Sequence, residues 1–332
     1  MQCPRCQQEN PEGGRFCTRC GLPLTEEALA AHKAAERRRK AGGAFGRFLA
    51  GLAKAVCYAL LFILIQSAVI GIYSTYYAIG EMSGMVTTPG GMTGNASDLA
   101  DALLNAVYEK ITLLTLISGT LTILFLGIFF TLRRKSLFTE CGIRPVPPAA
   151  LLWCALAGSA LNVFLSVTIS FLPLPEAWFS GLEEQYQYLG TTNIFLEILS
   201  TAVMTGFTEE MIFRGLAESR IRRGAPGWLT VILSALLFGI CHGTPIAIGY
   251  AALMGALLSL MNRRFGSILP SIVVHIFFNG AALWFVTDDT LLVLALYIIS
   301  IAVMAGTLYL YFRRETAEEE PAPVSAPEDP YE

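Results

Sequence analysis

Long apolar runs, separated by short polar or Gly- and Pro-containing stretches, make up most of this chain. Eight runs can be traced, at about 52–79, 111–132, 149–172, 191–217, 227–242, 246–261, 267–286 and 291–312. A helix needs about 20 apolar residues to cross a bilayer, and only the fifth and sixth runs are clearly shorter. Basic residues collect after every second run, at 133–135, 220–223, 263–264 and 313–314, and a further cluster at 37–40 precedes the first run. The intervening connections are acidic or uncharged: 173–190 holds three Glu and no Lys or Arg. The pattern predicts an all-α polytopic membrane protein with about eight transmembrane helices and both termini cytoplasmic. The number becomes seven if the short fifth or sixth run is re-entrant, entering and leaving by one face.

Composition agrees. The 332 residues are 54% hydrophobic and 15% charged, and the net charge of −3 gives no global basic footprint for nucleic acid. The first twenty residues are polar and Cys-rich, so no cleavable signal peptide is expected there. They contain Cys3-x-x-Cys6 and Cys17-x-x-Cys20, two knuckles able to wrap one tetrahedral zinc. A segment this short has no core of its own, so the metal would supply its folding energy. The expected division is a zinc ribbon at 1–24 and a basic helical tether at 25–47, broken at Ala41-Gly42-Gly43. The first span and an extracytoplasmic loop follow at 48–110, then a membrane core at 111–314 and an acidic disordered tail at 315–332. The ribbon resembles those at the N-termini of many bacterial membrane proteins, which implies a prokaryotic cell membrane and a protein partner for the ribbon. His32, in the solvated tether, has no expected role.

Charged and polar groups inside spans cost several kcal/mol each and mark functional sites. The fourth run carries Glu209, Glu210 and Arg214. Glu210 and Arg214 are four apart with the acid first, the favourable helical pairing, while Glu209 lies about 100° round the helix. So Glu210 can neutralise Arg214 and leave Glu209 free. Phe238-x-x-x-His242 closes the fifth run, and His275-x-x-x-Asn279 puts two polar groups on one face of the seventh. Singly, each could be a packing residue satisfied by a neighbour; six on three spans point to a site. At about 1.5 Å per residue, Glu209 lies about 21 Å from Arg223 and His242 about 22 Å from Gly227. The two levels agree only if Arg220–Arg223 mark the membrane interface and Arg214 is inside the protein.

Glu209-Glu210-x-x-x-Arg214, Phe238-x-x-x-His242 and His275-x-x-x-Asn279, in that order on separate spans, resemble the CAAX protease and bacteriocin-processing (CPBP, or Abi) family over about residues 110–312. The resemblance implies a membrane-embedded, glutamic-type endopeptidase acting on a membrane-associated, lipidated or transmembrane peptide or protein. It implies Glu209 as the base that activates water. The residue chemistry adds His242 to position water and shuttle a proton, and His275 and Asn279 to stabilise the oxyanion. Glu210 and Arg214 would hold the helix in place. No catalytic metal is required by this scheme. Two other readings stay open: a zinc-dependent peptidase with Glu209, His242 and His275 as ligands, and a non-catalytic scaffold, immunity or transport-related protein.

Overall fold

The computed structural model describes residues 2, 8–11, 24–87, 96–179, 193–284 and 289–318. Among these residues there are helices and no strands, with one isolated bridge between Gln2 and Glu9. Cys3, Cys6, Cys17 and Cys20, with the zinc expected on them, lie outside the described residues, as does the tail from 319 on.

Each of the eight apolar runs falls on a helix. We number these α1 (Glu26–Thr87), α2 (Ala96–Glu109), α3 (Ile111–Leu132), α4 (Leu137–Cys141) and α5 (Pro148–Ser170). They continue with α6 (194–221), α7 (Gly227–Ile240), α8 (Pro245–Phe265), α9 (Leu269–Trp284) and α10 (Thr290–Glu318). Five are long and apolar enough to cross a membrane: the Phe45–Gly80 part of α1, and α3, α5, α8 and α10 up to Leu310. The shorter α7 and α9 are also apolar. α7, with 14 residues, covers about 21 Å of a hydrocarbon layer about 30 Å thick. The exposed large side chains on α1, α3 and α10 are mostly Leu and Ile, as a lipid solvent requires.

Two expectations need correction. The helix does not break at Ala41-Gly42-Gly43, and α1 runs unbroken through the tether and the first span. Two glycines cost about 1 kcal/mol each in a helix, which propagation from long flanking helical stretches offsets. Nor is the 80–110 connection all loop. α1 continues to Thr87, and α2 forms where Leu99, Leu103 and Val107 repeat at helical spacing.

α6 lies at the centre of the bundle. Every residue from Glu210 to Glu218 is buried, against apolar groups that include Phe62, Phe238, Met254 and Leu258. α9 is clamped between α5 and α6. A Cβ on Gly158 would collide with the Val274 carbonyl, and one on Gly206 would lie 3.0 Å from the Ile276 backbone nitrogen. These close approaches bring the polar residues of α6 and α9 within reach of each other. At the end where the basic clusters gather, Ser267 Oγ accepts from the Arg144 N–H (3.0 Å) and donates to the Arg144 carbonyl (2.8 Å). Glu140 of α4 accepts from Lys135 and Arg220, both at 2.7 Å. Those two hydrogen bonds, Lys135 first, hold the Glu140 carboxyl below its ordinary range.

Candidate functional site

The carboxylates of the site sit on an irregular helix. α6 alternates α-turns with two π-helical stretches, Ile198–Met204 and Met211–Glu218, which flank the α-turn Thr205–Glu210. Wide π turns are rare and concentrate at functional sites. Here side chains support them: Thr205 Oγ1 donates to the Ser200 carbonyl (3.1 Å), and Ser200 Oγ donates to the Thr112 carbonyl of α3 (2.6 Å).

Glu210, Arg214 and His275 are buried together. Arg214 Nη1 lies 3.1 Å from Glu210 Oε1, so the pairing expected from the i, i+4 spacing is present. No Arg214 nitrogen makes a hydrogen bond within the described protein, and the attachment is therefore electrostatic. The guanidinium carbon also lies over the Phe238 ring, 4.0 Å from its centroid. A desolvated cation–π contact of this kind is worth about 2 kcal/mol. Arg214 is within the protein while Arg222 and Arg223 are exposed, as the depth argument needed, but Arg220, which that argument also set at the interface, is buried against Glu140.

His275 stands between the two glutamates. Its Nδ1 is 3.0 Å from Glu210 Oε1, and its Nε2 is 3.8 Å from Glu209 Oε2. The first distance is a hydrogen bond to a carboxylate, which fixes Nδ1 as the protonated nitrogen and turns Nε2 toward Glu209. The second is too long for one. The Glu209 side chain keeps 13% of its surface accessible, whereas that of Glu210 has none. The two adjacent acids thus occupy different surroundings, Glu210 sealed against Arg214 and His275, Glu209 open at the edge.

His242 lies in the turn after α7. Its Nδ1 is 2.8 Å from the Phe238 carbonyl. A carbonyl only accepts, so Nδ1 carries the proton and Nε2 presents a lone pair. Phe238 is the hub of the cluster: its ring meets His242 edge-on at 4.6 Å and His275 at 5.9 Å, with Arg214 on its face. Tyr250 of α8 adds a wall, 6.5 Å from the His242 ring and 6.4 Å from Phe278.

Asn279 differs from its expected use. Its Nδ2 donates to the Thr201 carbonyl (3.0 Å), inside the first π stretch of α6. One of its two N–H bonds therefore ties α9 to α6. The structure brings Glu209, Glu210, Arg214 and His275 into one set of close charges, joins His242 to them through Phe238, and places Asn279 as a tie one turn from His275. Ser200, Thr201 and Tyr250 were not among the residues singled out from the sequence, and Phe238 entered only as the head of the Phe238-x-x-x-His242 motif, with no role of its own. Phe238 alone carried a signal, its place four residues before His242. Among the described residues, no group of three or more His, Cys, Asp or Glu has the arrangement of a metal site.

Residues 191–281 match the family described as type II CAAX prenyl endopeptidase Rce1-like. The matched stretch contains all six polar residues of the cluster. No curated protein and no solved structure matches the chain.

Proposed function

On the premise that residues 191–281 belong to the CAAX protease family, we propose that this multi-pass membrane protein is an endopeptidase that uses Glu209 to activate water. The observation that carries this reading is the unequal pair: Glu210 is consumed by Arg214 and His275, while the Glu209 side chain remains partly accessible and its buried Oε2, 3.8 Å from His275 Nε2, makes no hydrogen bond within the described protein. A buried-edge carboxylate with a neighbouring imidazole is the equipment that hydrolysis of an amide needs.

Glu209 takes a proton from water, and the oxygen attacks the scissile carbonyl to form the tetrahedral adduct. His275, as an imidazolium whose Nδ1–H is held by Glu210, donates its Nε2–H to the oxyanion, and the second N–H of Asn279 assists. As the C–N bond breaks, the amine nitrogen receives the proton, relayed by Glu209 and by His242 Nε2. Arg214 and Glu210 keep His275 in place, and Phe238 keeps Arg214 and the two imidazoles in register. Such positioned acid–base steps contribute about 10²–10⁴-fold each.

The substrate is a membrane-associated peptide or protein, lipidated or transmembrane, that enters from the bilayer. The basic end of the bundle faces the cytoplasm of a prokaryotic cell, with both termini there, and the four N-terminal cysteines hold a structural zinc that orders a docking module for a protein partner. To test the activity, the purified chain is incubated in bilayer discs with a farnesylated peptide and with a transmembrane peptide, and products are read by mass spectrometry. Two complementary fragments from either peptide, unaffected by a chelator, support the reading. Intact recovery of both peptides overturns it.

A further inference from the structure

One buried carboxylate has no part in the mechanism above. Glu218 is fully buried, at the basic end of the second π stretch of α6. Its Oε2 accepts from Ser259 Oγ of α8 at 2.8 Å, and Ser259 is itself fully buried. Its Oε1 lies 3.0 Å from Nη2 of Arg222, whose side chain is half-exposed. With Glu210 and Arg214 it completes a row at four-residue spacing: Glu210, Arg214, Glu218, Arg222. Acid and base alternate along the row, and its first three members are sealed from solvent.

The neighbouring helix is built to match. Gly255 and Ser259 are four apart on α8, opposite Arg214 and Glu218. A Cβ on Gly255 would come within 3.0 Å of Arg214 Nη2 and 3.2 Å of the Ala235 Cα, so the missing side chain leaves the guanidinium its place. One turn on, Ser259 takes hold of Glu218. Arg214 itself has no hydrogen bond within the described protein, only charges and the Phe238 ring. A guanidinium held this way is placed by the sum of the fields around it, and Glu218, four residues on and equally buried, contributes to that sum without a direct ion pair to Arg214.

We propose that Glu218, pinned to α8 by Ser259, is a positioning residue that holds Arg214 over Phe238 and thereby fixes the Glu210–His275 pair. The inference deepens the peptidase reading and rests on it for its catalytic consequence. Glu218 touches neither substrate nor water, and its influence reaches His275 through two intervening side chains. Removing its charge leaves Arg214 balanced by Glu210 alone, draws the guanidinium toward Glu210 and loosens the Glu210 bond to His275.

The test uses the full-length chain labelled with ¹⁵N-histidine in bilayer discs, with Glu218→Gln and Ser259→Ala. His275→Asn identifies the His275 signals, and His32 serves as the internal reference. The expected result is a shift of the His275 ring nitrogens in both variants, with His32 unmoved. In the cleavage assay kcat falls about tenfold in Glu218→Gln and KM stays within about twofold. Ser259→Ala removes a single hydroxyl and keeps the test open if Glu218→Gln does not fold. Unchanged His275 resonances in the folded variants overturn the proposal, whether or not the wild-type chain cleaves a peptide. Absence of cleavage by the wild type, with the resonances shifted, instead overturns the peptidase reading alone.

Discussion

His275 Nδ1 lies 3.0 Å from Glu210 Oε1, so the second of the two adjacent glutamates serves the histidine as well as the arginine. This relationship gives the pair distinct roles that adjacency alone does not. Glu210 orients the His275 ring through Nδ1–H while its other nitrogen looks at Glu209, an arrangement in which one carboxylate positions the ring and the other does chemistry.

The two glutamates should therefore respond differently to substitution. Glu210→Ala leaves Arg214 buried without its partner and removes the His275 acceptor, a loss of about 3–5 kcal/mol for breaking a buried pair. Denaturant or thermal unfolding in detergent should show this loss, while Glu209→Ala, which removes a partly accessible side chain that makes no hydrogen bond through its buried Oε2, unfolds close to the wild type. Equal destabilisation by both would contradict the assignment.

Phe238→Leu should keep the bundle packed and disturb the site. It removes the aromatic face under Arg214, worth about 2 kcal/mol, and the ring edges against both histidines. The expected outcome is a fall in kcat of about tenfold or more with nearly unchanged KM, read in the peptide assay. A variant that loses KM alone would make Phe238 a substrate contact instead.

How much of this was legible beforehand differs by feature. The helical nature of the eight apolar runs was, because runs near 20 residues report an apolar solvent directly, and five of the helices are long and apolar enough to cross a membrane. The Glu210–Arg214 pair and the interior position of Arg214 were, because both follow from helical spacing and rise. The continuity of α1 through Gly42-Gly43 was not, because a local breaker signal competes with cooperativity over 62 residues. The π stretches were not, since Ile198–Met204 has an ordinary apolar composition and widens with support from Ser200, Thr205 and Asn279, the last from a distant helix. For the same reason Asn279 read as an oxyanion donor and not as a tie between helices: its partner is a backbone carbonyl 78 positions away.

That tie makes a prediction of its own. Asn279→Ala should free the Thr201 carbonyl, at a cost of about 1 kcal/mol for the loss of a part-buried hydrogen bond. Amide hydrogen exchange across 198–206 should then speed up, with exchange in α7 unchanged. Unaltered protection of that stretch would show that the π turn does not depend on Asn279.

The α4 clip should be sensitive to acid. Lys135 and Arg220 hold the Glu140 carboxyl below its ordinary value. A lowered carboxyl stabilises the fold at pH above the ordinary carboxylate range, and that contribution is lost as pH falls through the lowered folded value. The gap in melting temperature between wild type and Glu140→Gln should be constant from neutrality down to about pH 5 and close below about pH 4. A gap independent of pH would mean that the Glu140 charge contributes nothing.

The central claim is that Glu209 activates the water, and it is tested most directly by single-turnover cleavage of one peptide by wild type, Glu209→Gln and His242→Ala, each shown to be folded. The account predicts a loss of at least about 10³-fold for Glu209→Gln and a smaller but clear loss for His242→Ala. Cleavage by folded Glu209→Gln at the wild-type rate would contradict it.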